Sequence, residues 1–324
     1  MLASRDRALE EPARDRALVG AMPWVFVLIW STGFVVARYG MPHAPPFGFL
    51  AWRYALSLLA LGLWIALARA PWPRERGQWA HLAATGCLMH AGYLGGVWAA
   101  VKHGIPAGTV ALIVGLQPLL TAAWVSLTSP THRLQWRQWL GLLLGLGGLV
   151  LVVWRRMQGG EVTSLNLGLS VAALFSITAG TLYQKRFVQP LDVRSASFIQ
   201  LCAALLVSLP VALMETEPVR WHPQLLGALA WSVGVLTLGG SSLLYLLIQR
   251  GAATVVASLM YLVPPCTALL AWLLFNEVMT WTMAAGMAVT VMGVGLAVHG
   301  SHPKALISSP KHPLNAQGSR GESA

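Results

Sequence analysis

Long apolar blocks of nearly equal length follow one another along the chain, separated by short polar joints. Ten blocks stand out: Ala21–Tyr39, Phe47–Ala68, Trp79–Val101, Gly108–Leu127, Trp136–Trp154, Leu165–Gln184, Val193–Met214, Leu225–Ile248, Ala252–Phe275 and Met279–His299. About 20 apolar residues suffice for a helix to cross the hydrocarbon core of a bilayer. Helices are the form predicted, because each satisfies its own backbone groups where no water can reach. Within the eighth block, "GVLTLGGSSLLYLL" carries enough Gly and Ser to predict an irregular helix. Residues 1–20 mix Arg with Asp and Glu and lack the apolar core of a signal peptide, so they read as a cytosolic tail. Residues 300–324, rich in Pro, Ser, Lys and Gly, read as a disordered cytosolic tail.

The joints give the blocks a direction. With the N-terminus inside, sixteen Lys and Arg fall in cytosolic segments and five outside, namely Arg38, Lys102, Arg155, Arg156 and Arg220. That asymmetry places both termini in the cytosol and supports an even number of spans.

The two halves of the chain also share a pattern at a nearly constant offset. Ser31 in "IWSTGFVVARY" faces Ser176 in "LFSITAGTLYQ", 145 residues on. Trp98 and Gly104 pair with Tyr245 and Gly251 at 147, and Pro118 pairs with Pro264 at 146. Gly141, Gly145 and Gly148 match Gly286, Thr290 and Gly293 at 145. Five spans per half is an odd number, so the second half must enter the membrane upside down. The expected fold is therefore all-α and integral to the membrane, with ten transmembrane helices as two inverted five-helix repeats, 21–156 and 164–299. Inverted repeats of this kind build many secondary transporters, whose substrate site lies near the midplane between the halves. Pro118 and Pro264 are expected to kink the same helix in each half, on the central path.

Composition agrees with the pattern. Hydrophobic residues make up 56% of the chain and charged ones 10%, with a mean hydropathy of +0.62. Soluble domains are about a quarter charged. The net charge of +11 is dispersed among the joints rather than gathered on one face, which speaks against nucleic-acid binding. Cys87, Cys202 and Cys266 sit inside apolar blocks without metal or redox spacing and read as packing residues. No metal site and no cofactor is expected.

These residues resemble EamA-type carriers of the drug/metabolite transporter superfamily. "WSTGFVVARYG" with the later Arg53, the proline-bearing fourth and ninth spans, "GTLYQKRF" and "LLAWLLFNEVMTWTMAAGMAVTVMGVGLAV" carry the resemblance. The last stretch holds a Glu closing the ninth span (Glu277) and glycines of the tenth (Gly286, Gly293). The first half departs from the family at Thr131, where the pattern has Glu. The resemblance implies transport of small metabolites or drugs, often outward, in a bacterial inner membrane.

Candidate cavity-lining residues are the polar and aromatic ones inside spans: Trp30, Ser31, His90, Tyr93, Trp98, Gln117, Ser176, Tyr245 and Tyr261. Their rings suit planar or cationic cargo, including aromatic amino acids, although bundle packing explains Trp30, Trp98, Tyr245 and Tyr261 equally well. Trp24, Trp64, Trp79, Trp136, Trp154 and Trp281 read as an interfacial belt. Arg53 reads as a residue that snorkels outward from a peripheral second span. Glu277 reads as a cap for the tenth helix. The glycines Gly141, Gly145, Gly148, Gly286 and Gly293 read as helix-packing residues inside the molecule, with monomer and homodimer both open.

All eleven acids fall outside the span cores, which argues against a buried-carboxylate proton pump and for facilitated transport or exchange, with proton coupling through His90 the less favoured alternative. Catalytic motifs are lacking, so no enzyme is expected. The reading that results is a secondary carrier exporting an amino acid or related metabolite by alternating access. Efflux of drugs and cations is the alternative, and a membrane sensor or scaffold without transport is the competitor from another class.

Overall fold

The computed structural model describes residues 13–128, 136–240, 242–243, 246–247 and 260–299. All regular structure among them is helical. Both tails beyond residues 13 and 299, Thr131, Tyr245 and Gly251 lie outside the described residues, and of Tyr261 only the backbone is described.

Helix α1 (Ala13–Gly40) begins inside the segment expected to be a tail. It is followed by α2 (Pro46–Ala68), whose first turn holds Pro46 where a missing N–H is harmless. A continuous third element comprises α3 (Arg76–Gly86), a π-helical segment (Cys87–Gly92) and α4 (Tyr93–Lys102). The fourth is broken into α5 (Ala107–Val114) and α6 (Gln117–Thr128). Then come α7 (Trp136–Gln158), α8 (Ser164–Phe187) and α9 (Val193–Met214). Helix α10 (Pro223–Trp231) runs into a second π-helical segment (Ser232–Gly240). After a 3₁₀ turn at Met260–Leu262 follow α11 (Val263–Phe275) and α12 (Trp281–His299). Seven of the described helical segments are long and apolar enough to cross a membrane, and α11 and most of α12 are shorter apolar helices.

The proline of the fourth span coincides with a break: Pro118 stands in the first turn of α6, just after Gly115–Leu116 interrupts the helix. Pro264 stands in the first turn of α11, just after the 3₁₀ turn Met260–Leu262. A Cβ on Gly115 would stand 2.8 Å from the Pro264 ring, so the interruption packs on the start of α11.

Helix packing survives exchange of the two halves. Helix α7 lies along α12, α5 along α11 and α2 along α9. Helix α4 packs on α8 as α10 and its π-helical continuation pack on α1. The glycine face explains the closest pair. A Cβ on Gly148 would meet Gly286 O at 2.4 Å, and one on Gly293 would meet Gly141 O at 2.6 Å. As residue numbers rise along α7 they fall along α12, so this pair is antiparallel. Thr290 Oγ1, between the glycines, donates to Gly286 O at 2.9 Å.

The outer surface is apolar, as a bilayer requires. Trp24, Trp64, Trp79, Trp136, Trp154 and Trp281 are all exposed. The core runs from α1 and α2 through α4 and α5 to α8, α9 and α11.

Candidate functional site: a cavity between the halves

Two matching irregularities shape the centre. The π-helical segments begin at Cys87 and Ser232, 145 residues apart, the same offset that relates the glycine faces. A π turn widens the helix and frees carbonyls from the usual ladder. In the first segment those carbonyls are taken by side chains from other helices. Ser176 Oγ donates to Leu88 O at 2.8 Å, and Tyr54 Oη donates to His90 O at 2.9 Å. In the second, Thr237 Oγ1 donates to Ser232 O, five residues back, at 2.9 Å. Gly86, just before the first segment, lets α9 approach: a Cβ there would stand 2.2 Å from Gln200 O.

Between these segments lies a cavity of about 300 Å³. Its walls come from both halves: Trp30, Gly33 and Phe34 of α1, Arg53 of α2, Met89 and His90 of the π turn, and Tyr93 and Trp98 of α4. From the second half come Ile177 and Gln184 of α8, Ser197 and Gln200 of α9, and Leu236 and Thr237. Trp98 closes one end. It is 1% exposed and stacks on Phe49 with ring centroids 4.3 Å apart. From there the cavity extends toward Gln184 near the end of α8 and Val193 at the start of α9.

The structure thus brings Trp30, His90, Tyr93 and Trp98 onto one wall system, and it leaves three other candidates off it. Ser31 is fully buried and donates to Val27 O at 2.8 Å. Ser176 is spent on the π turn. Gln117 Nε2 donates to Thr181 Oγ1 at 2.8 Å, in the packing of α6 on α8. Conversely, Arg53, Gln184, Ser197, Gln200 and Thr237 line the cavity without having been singled out for it. An isolated polar residue inside an apolar block was the available signal, and Gln200 carries it clearly.

Arg53 does not snorkel. The residue is 9% exposed, and its side chain faces the cavity. Helix α2 is not peripheral on this face, because α9, α4 and the second π segment all pack on it.

Polar bridges tie the halves together at both ends. At the Trp98 end, Glu215 accepts from Phe47 N at 3.1 Å and Gly48 N at 2.8 Å, Lys102 Nζ pairs with Glu217 at 2.6 Å, and His43 stacks on His222. At the Gln184 end, His81 Nδ1 and Tyr183 Oη are 2.9 Å apart, and Gln78 bonds to the backbone of Phe187 and Gln189. Glu277 caps α5 rather than α12, accepting from Ala107 N at 3.3 Å. Burial raises its carboxyl above the ordinary carboxylate range, opposed by the Arg156 guanidinium and the Ala107 N–H.

A chamber with mostly apolar walls and a few polar groups, shared by both halves of a multi-pass membrane bundle, is the arrangement expected of a transporter. The sequence model of the EamA-like transporter family matches residues 21–154 and again 165–298, and the chain belongs to that family. It is 24% identical over 298 residues to a "Probable amino-acid metabolite efflux pump" of Salmonella typhimurium, covering 87% of this chain and 95% of that one. It is 23% identical to the protein of the same description in Escherichia coli K12, covering 87% and 95%. It also resembles a solved crystal structure with a TM-score of 0.59 at 21% identity, over 89% of this chain and 99% of the other, a likeness of fold. The protein is thus a multi-pass membrane transporter of the drug/metabolite transporter superfamily.

Proposed function

We propose that the protein is a secondary carrier that exports an amino acid or closely related small metabolite across a bacterial inner membrane by alternating access. In this reading ten spans form two inverted repeats, 21–156 and 164–299, and both termini are cytosolic. The antiparallel run of α7 against α12 supports the inversion, since these are corresponding helices of the two halves. The charge count of the joints then puts the Trp98 end outside and the Gln184 end toward the cytosol.

The observation that carries the reading is the shared cavity, sealed at one end by Trp98 on Phe49. A volume of about 300 Å³ stands at the small end of ligand pockets and suits a metabolite better than a bulky drug. The homologues described as amino-acid metabolite efflux pumps favour the same class of cargo. Rings of Trp30, Tyr93 and Trp98 would also suit a cation, which is the second reading.

Counterflow in proteoliposomes tests the proposal. Vesicles loaded with each of the common amino acids should accumulate the labelled form of at least one without an imposed pH gradient. Strict dependence on such a gradient would exclude facilitated transport, and transport of cationic dyes alone would favour the second reading. Trp30→Ala should raise KM for the transported compound about three- to tenfold, the range of a lost aromatic contact. Trp24→Ala, an exposed ring off the cavity, should leave KM unchanged.

A further inference from the structure

A buried guanidinium with no counter-ion among the described residues is the least explained feature of the cavity. Arginine keeps its charge under all ordinary conditions and presents five donors in a planar fork. Charged groups inside membrane helices normally pair with one another or mark a substrate path. Among the described residues none of the ion pairs involves Arg53, and no hydrogen bond from it to another described side chain or carbonyl is made. Among the described residues that line the cavity none is Asp or Glu; His90, Tyr93, Gln200, Trp30 and Trp98 share its walls with Arg53.

We propose that Arg53 is the specificity-determining residue of the carrier and that its guanidinium holds a carboxylate of the cargo. The proposal rests on the carrier reading above and narrows it. A carboxylate accepts the fork in two parallel bonds and neutralises the charge at the point where water is scarcest. A zwitterion would then set its ammonium against the aromatic walls, contacts that orient without a buried acid. Polyamines and quaternary ammonium compounds are disfavoured, because they bring a second positive charge to a site with no negative one.

The test compares carboxylic acids with their own primary amides. Binding of the common amino acids, of 3-phenylpropionate and of each corresponding amide is measured by thermal shift and by counterflow on the full-length protein. The wild type should prefer the acid of at least one pair by about tenfold to a hundredfold, the range of a charge-assisted bond. Arg53→Gln should bring acid and amide to equal affinity, and Arg53→Lys should retain part of the preference. Arg53→Met should match or exceed the wild type in ligand-free melting temperature, since an uncompensated buried charge is destabilising.

A structural role would instead weaken both members of a pair alike and lower the ligand-free melting temperature. Retention of acid preference in Arg53→Gln, or strong transport of a compound lacking any carboxylate, overturns the assignment and leaves the carrier reading standing. A protein that binds and transports neither acids, amides nor cations counts against both.

Discussion

Gly148→Leu is expected to leave no monodisperse folded carrier, while Gly147→Leu, one residue earlier, should migrate and melt like the parent. The difference lies in what each new side chain meets. A Cβ on Gly148 stands 2.4 Å from Gly286 O, 2.5 Å from Thr290 Oγ1 and 2.8 Å from Thr290 N. Two of these atoms are backbone and cannot turn aside. A Cβ on Gly147 meets nothing within 4 Å. Overpacking a core ordinarily costs about 1–3 kcal/mol because neighbours shift a little. Here α7 and α12 must separate as rigid bodies. Lipid-embedded helices associate through close packing rather than the hydrophobic effect, so nothing replaces the contact. A loss of more than about 3 kcal/mol is expected, read by size-exclusion chromatography in detergent and by melting temperature. Gly286→Leu should fail in the same way, since its Cβ meets Val152 Cγ2 at 2.7 Å and Gly148 O at 2.9 Å. If Gly148→Leu instead yields a stable monomer, the glycine face belongs to a contact between chains.

The glycine face was readable because close approach demands the same residue type wherever it occurs, and it occurs twice at one offset. The spans were readable for a similar reason, since burial in lipid constrains composition directly. Sites where polar atoms turn inward were harder. Ser31 and Thr178 each donate to the carbonyl four residues back, Val27 O and Leu174 O, and a hydroxyl so used has the same sequence signature as one facing a cavity. The first π segment carries no signature, because its residues suit an α-helix equally well, whereas the second falls in the Gly- and Ser-bearing stretch that predicted an irregular helix. Arg53 was visible, but its direction was not. Rotation of α2 about its axis is set by its packing on α9 and α4, which a single span does not encode. Glu277 shows the same limit. An acid at the end of α11 announces a cap, yet the helix it caps, α5, lies 170 residues away.

Glu215→Ala is expected to open the Trp98 end of the cavity. Helix α2 begins Pro45-Pro46-Phe47-Gly48, and Pro45 at its N-cap makes no side-chain cap bond. Its first free N–H groups, on Phe47 and Gly48, are both satisfied by the Glu215 carboxylate from beyond α9 in the other half. An N-cap contributes about 0.5–2 kcal/mol, and an anion at a helix N-terminus adds about 0.3–1 kcal/mol. Whatever part of this is present only when the end is shut biases the carrier toward that state, to a limit of about 3 kcal/mol. Removing it should shift the equilibrium toward the opposite conformation by roughly tenfold to a hundredfold. The reporter is Ala44→Cys, fully buried beside the Lys102 ammonium, with Cys87, Cys202 and Cys266 replaced by Ala. Maleimide labelling of position 44 from outside should accelerate at least tenfold in Glu215→Ala. Lys102→Ala, which also removes the pair with Glu217 and the bond to Met41 O, should act in the same direction. Cytosol-side labelling of Ser197→Cys, at the opposite end of the cavity, should slow in step, because one state gains what the other loses. If labelling at 44 is unchanged while the melting temperature falls, Glu215 stabilises α2 equally in both conformations, and the bridge between the halves is a cap rather than a latch.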